Sequence, residues 1–92
     1  MKIHRNITIR GEVQGVGFRY YARKTAQDLG LTGFVMNQAD GSVYAEAEGE
    51  ENEVTAFIDW CRKGPGMAEV TEISITEGVI EDFSDFNILH YF

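Results

Sequence analysis

The sequence predicts an α+β sandwich: one antiparallel sheet with two helices packed on one face. Three observations predict it. Apolar residues alternate with polar ones over several short stretches, the period of a half-buried strand. They recur at helical spacing over two longer stretches. Glycine-rich or Asp-Gly punctuation falls at most of the places where the period changes.

The first strand covers residues 2–13. Ile3, Ile7, Ile9 and Val13 share one parity, while Lys2, His4, Asn6, Thr8, Arg10 and Glu12 share the other. Only Arg5 interrupts the apolar set. A glycine loop follows. From Phe18 the spacing of Phe18, Ala22, Thr25, Ala26 and Leu29 marks one helical face, and Gly30 stands where a C-terminal stop belongs. Residues 33–37 form a second short strand, and Asp40-Gly41 gives the turn of a β-hairpin. In its other arm Val43, Ala45 and Ala47 lie on one side.

Glu50, Glu51 and Glu53 gather at the start of the next helix, where carboxylates suit the positive end of the dipole. Val54, Phe57, Ile58 and Cys61 give its apolar face, Arg62 and Lys63 its basic end, and Gly64-Pro65-Gly66 its stop. Ile73 and Ile75 alternate with Thr and Glu in a fourth strand. After an acidic bend at Glu81 and Asp82, Phe86 and Ile88 mark a short last strand. The order βαββαβ, plus that short C-terminal strand, is the split βαβ or ferredoxin-like pattern. Residues 1–92 read as a single domain without linker or repeat.

Composition narrows the function. The 92-residue chain is 43% apolar and 25% charged, ordinary for a globular domain. Its net charge of −7 argues against nucleic acid, whose phosphates need a basic surface. A small anion is a different case, because a few backbone N–H groups and one cation can hold it whatever the global charge. No apolar run approaches the roughly 20 residues that span a bilayer, and none reads as a signal peptide, so no membrane partner is expected. The single cysteine, Cys61, can form no internal disulfide, and a cytoplasmic location is the expectation. A monomer is expected as well.

The stretch Gly11-Glu-Val-Gln-Gly-Val-Gly-Phe-Arg19 is the strongest local signal. It lacks the Lys-Ser/Thr ending of a nucleotide phosphate loop. A dinucleotide fingerprint beginning at Gly15 fails because Tyr20 stands where the third glycine belongs. What remains is a strand end, a tight loop and a helix start. Gly15 and Gly17 permit unusual φ angles. The N–H groups of Gln14, Gly15, Val16, Gly17, Phe18 and Arg19 can then converge, and the Arg19 fork can grip two oxygens of a phosphoryl group. A loop that merely turns the chain is the alternative, but it leaves the following arginine unexplained.

Asn37 ends a strand of apolar neighbours. It is either an ordinary turn asparagine or a neighbour of the glycine loop. In a sheet of this order the strands before the loop and before Asn37 meet only through a third. His4 and His90 are isolated from other ligand-type residues, so no metal is expected. Cys61 reads as a small core residue, Asp40 as a turn residue, and the acids from Glu48 to Glu53 as the solvated end of an element.

These residues resemble a known family. The stretch from Gly11 to Arg19 is similar to the signature of the acylphosphatases, and Gly33-x-Val-x-Asn-x-x-Asp-Gly-x-Val43 resembles their second signature. Gly64-Pro65, Ala68, Val70 and the C-terminal Phe86-x-Ile88 extend the likeness to roughly residues 5–90. The resemblance implies a ferredoxin-like fold and hydrolysis of a small-molecule acyl phosphate to a carboxylate and inorganic phosphate, with neither cofactor nor metal. It implies that Arg19 binds the phosphate, that the loop amides hold its oxygens, and that Asn37 orients the attacking water. A site free of histidine is expected.

Glu12 stands where many members of the family carry a basic or neutral residue, Met36 where Lys or Arg is frequent, and Phe34 where Trp or Tyr is frequent. The first two remove positive potential near the anion. Two other functions fit the same element order. One is a single-strand RNA binder, which the missing aromatic motif and the charge oppose. The other is an accessory domain of a larger assembly, as in hydrogenase-maturation proteins.

Overall fold

The computed structural model describes residues 1–90, so the last two residues of the expected 1–92 domain lie outside it. The elements are β1 (Lys2–Glu12), α1 (Phe18–Asp28), β2 (Thr32–Asn37), β3 (Val43–Glu50), α2 (Glu51–Lys63), β4 (Glu69–Glu77) and β5 (Phe86–Leu89). They form one five-stranded sheet in the order β4-β1-β3-β2-β5. The expected α+β ferredoxin-like sandwich is therefore observed. One pairing differs from the antiparallel expectation. β5 runs parallel to β2, and the sheet is mixed. The cause is topological. β4 closes one edge, and the chain crosses to the opposite edge before pairing again.

Both helices bury one stripe. Phe18, Ala22 and Ala26 of α1 and Val54, Phe57 and Cys61 of α2 are buried. They meet Ile7, Ile9, Val35, Val43, Ala45, Ala47 and Phe86 from the sheet in one core. Phe57 packs edge-on to Phe86, with ring centroids 5.6 Å apart. The acidic start and basic end of α2 fall as the sequence predicts, at Glu51 and Glu53 and at Arg62 and Lys63. Cys61 is fully buried, and burial pushes its thiol pKa well above the ordinary value.

The other face of the sheet is not simply solvated. Glu48, expected at a solvated end, is only 1% exposed. Pairing with His4 on β1 sets it on the face opposite the helices. There it accepts the backbone N–H groups of Glu81 and Phe83 from the segment linking β4 to β5. His4, also buried, donates Nδ1–H to Glu48 at 2.7 Å. Its Nε2 faces Asn6 Oδ1 at 2.9 Å and Glu46 Oε1 at 3.0 Å. The Phe83 ring packs 5.8 Å from Phe34, edge-on. A carboxylate–imidazole cluster thus straps the crossing segment to the sheet.

Sheet register positions the functional elements. Val43 pairs with Ile9 on one side and with Asn37 on the other. β1, β2 and β5 all run the same way, so Val13, Asn37 and Leu89 finish at one edge of the molecule. Two strand spacings, about 10 Å, separate β1 from β2 there, and the loop after β1 arches over that gap.

Candidate active site

The loop between β1 and α1 has the backbone that the glycines allow. Gly15 has φ +76° and Gly17 φ +82°, both left-handed. Gly17 is also the N-cap of α1, and no side chain caps the helix. The first bond of the helix runs from Tyr21 N–H to the Gly17 carbonyl at 3.1 Å. The amides of Phe18, Arg19 and Tyr20 therefore stand ahead of the intrahelical ladder, at the positive end of the dipole. No acidic residue lies in that first turn to occupy them.

The loop is braced against the β2–β3 hairpin. The Gln14 side-chain amide donates to the carbonyls of Gln38 at 2.8 Å and Ser42 at 2.9 Å. The turn is itself fixed by Asp40, which accepts from Ser42 N–H at 2.9 Å and Ser42 O–H at 2.6 Å. Arg10 reaches the same carboxylate at 3.1 Å. These bonds, chiefly those from Ser42, lower the Asp40 pKa to about 2. Asp40 is thus a turn residue, as expected, with an ion pair added.

A cavity of about 360 Å³ opens at this edge, and Gly15, Gly17, Phe18, Arg19 and Asn37 all line it. The two signature side chains are thus brought together. Two of the six expected loop positions do not line it. Gln14 turns its side-chain amide to the hairpin. Val16 lines a separate hollow with Tyr21 and Met67. Neither Glu12 nor Met36 lines the cavity.

Sequence reasoning missed five lining residues: Val13, Tyr20, Arg23, Ile88 and His90. Arg23 follows Arg19 by four residues, a spacing that puts it on the same helical face. Ile88 and His90 arrive through the parallel β5 pairing, which no local pattern encodes. The expectation of a site free of histidine is corrected accordingly. His90 stands at the cavity, because β5 ends at the same edge as Asn37. Among the described residues, no carboxylate lines the cavity and no three metal-ligating side chains cluster.

The chain around this cavity matches a family with the same fold. The acylphosphatase family model matches residues 5–88. An acylphosphatase of Thermotoga maritima is 48% identical over 85 residues, 92% of this chain and 94% of that protein. The structure of an acylphosphatase from Coxiella burnetii superposes with a TM-score of 0.93 at 39% identity, covering 96% and 93% of the two chains. The chain belongs to the acylphosphatase family. The same fold also occurs within a far longer protein. Full-length HypF, in a phosphate- and nucleotide-bound form, is matched at TM-score 0.91 and 37% identity, but over 12% of its length.

Proposed function

We propose that this acylphosphatase binds the phosphoryl group of an acyl phosphate on the amides of the 14–19 loop and on Arg19, and that Asn37 holds the attacking water in line with phosphorus. The water oxygen forms a bond to phosphorus as the bond from phosphorus to the acyl oxygen breaks, and a water proton passes to an oxygen of the transferred phosphoryl group. A carboxylate and inorganic phosphate are released. Phosphoryl transfer asks mainly for positioning and charge stabilisation, which fixed amides and a guanidinium supply. The leaving carboxylate is a weak base and departs without a strong acid. A carboxamide is no base either, so Asn37 orients the water and does not deprotonate it.

One observation carries this reading. Arg19, the left-handed glycines and Asn37 line the same cavity, although Asn37 is 18 positions on from Arg19. The proposed working unit is one chain, a single domain acting alone in the cytoplasm. Every side chain used comes from that chain, and its one thiol is buried and unpaired.

Hydrolysis of benzoyl phosphate tests the assignment. Arg19→Ala should lose about a hundredfold or more in kcat and weaken phosphate inhibition in parallel. Asn37→Ala should lose a comparable factor in kcat with KM changed less than about threefold, since the water is aimed but the phosphoryl group is still held. Rapid turnover by Arg19→Ala protein would overturn the assignment.

A further inference from the structure

The cavity is larger than a phosphoryl group requires, and residues beyond the proposed phosphoryl anchor line it as well. Arg23 lies one helical turn beyond Arg19, about 6 Å farther along the axis. It lines the same cavity with Tyr20, Ile88 and His90. Its guanidinium sits 5.9 Å from the centroid of the Tyr20 ring, a contact that steadies the head group without cancelling its charge. The residue is half-buried.

Charge placement makes this cavity stand out. The chain carries 15 acidic residues against 8 lysines and arginines. Yet this cavity gathers two guanidiniums and an imidazole, with no carboxylate among its described lining residues. An ordinary surface arginine would behave as the neighbouring Lys24 does, exposed and paired with Asp28 at 3.8 Å. Arg23 instead turns into the cavity, and hydrolysis as derived above uses only Arg19. With the phosphoryl group on the loop, the acyl chain must leave the site along the remaining wall. Ile88 offers apolar surface in the same cavity, and Arg23 a guanidinium.

We propose that Tyr20, Arg23 and Ile88 form an acyl-group subsite. It selects acyl phosphates whose acyl moiety carries a second anionic group, a carboxylate or phosphoryl, about one helical turn from the reacting phosphorus. This rests on the reading of Arg19 as the phosphoryl anchor. Arg23 is then the specificity-determining residue, and its planar fork matches either anion.

The test compares kcat/KM for benzoyl phosphate, 3-carboxybenzoyl phosphate and 3-phosphonobenzoyl phosphate, rigid compounds that differ only in the second anion. For the unaltered enzyme, at least one anionic substrate should exceed benzoyl phosphate by about tenfold, a modest return for a charge-assisted contact at a half-buried site. The better of the two arms identifies the anion. Arg23→Gln should lower that preference by about tenfold, and Arg23→Lys should restore part of it. A preference at or below one in the unaltered enzyme overturns the subsite. So does an equal loss on all three substrates in Arg23→Gln, which would make Arg23 a second phosphoryl ligand. If none of the three is hydrolysed, the anchor reading falls with it.

Discussion

Removing the Glu48 carboxylate should cost this domain a large part of its stability, although the residue lies on the face opposite the helices. The side chain is 1% exposed. It accepts two backbone N–H groups, from Glu81 and from Phe83 at 3.3 Å, and the His4 Nδ1–H at 2.7 Å. Glu48→Ala strands all three donors. The two amides lie in a segment that can relax toward water, so each counts near the low end of the penalty for an unmade bond, about 1 kcal/mol. The buried imidazole loses its nearest counter-charge and counts for about 2 kcal/mol more. The sum, about 4 kcal/mol, is a large share of the 5–15 kcal/mol typical of a domain. Urea unfolding at pH 6, followed by the fluorescence of Trp60, measures it. Glu48→Gln keeps an acceptor and should lose about half as much. A loss below about 1 kcal/mol for Glu48→Ala would mean that the strap is not held by this carboxylate.

Three further outcomes are expected. Burial favours the neutral imidazole of His4, but bonds to Glu48 and Asn6 and the charges of Glu46 and Glu48 outweigh it and raise the pKa above 6.5. Burial likewise opposes ionisation of Glu48, but the bonds from Glu81, His4 and Phe83 prevail and lower its pKa below 4.5. The stability from His4 is therefore complete below pH 6.5 and lost as pH rises through its raised value. That from Glu48 is complete above pH 4.5 and lost as pH falls through its lowered value. Urea midpoints should peak between these limits, and a His4→Gln variant that keeps the same alkaline fall would contradict this. Gly17→Ala forces a left-handed alanine and sets its Cβ 3.3 Å from the Tyr21 ring. It should cost about 1–2 kcal/mol and cut kcat/KM for benzoyl phosphate about tenfold or more, whereas wild-type kinetics would show that the loop geometry is dispensable. Gln14→Ala breaks both bonds that tie the loop to the hairpin, and should raise KM for benzoyl phosphate while lowering stability by about 1–2 kcal/mol. An unchanged KM would remove the bracing role.

Much of this architecture is written in local periodicity. The alternation of Ile3, Ile7 and Ile9 and the helical spacing of Val54, Phe57 and Cys61 are enforced by burial, so they survive into the sequence. The parallel partner of β5 is not so written, since four residues pair equally well either way and the long crossing decides. Glu48 shows the same limit. Alternation with Ala45 and Ala47 puts it on the far face, but burial there depends on the segment around Phe83, which has no period of its own. At the site, the loop and Arg19 are legible because Gly15 and Gly17 must be left-handed. The place of Asn37 needs the register of Val43 with both Ile9 and Asn37, which is a property of three strands together. His90 reaches the cavity only through β5, and so went unseen.

The central claim is that loop amides and one guanidinium hold a phosphoryl group beside Asn37. Titrating isotope-labelled protein with inorganic phosphate, and following its N–H resonances, tests this most directly. The amides of Gly15 to Tyr20, the Arg19 Nε–H and the Asn37 carboxamide should shift on one saturation curve, and Arg19→Ala should abolish it. Saturable phosphate binding that moves other residues and leaves these still would contradict the claim.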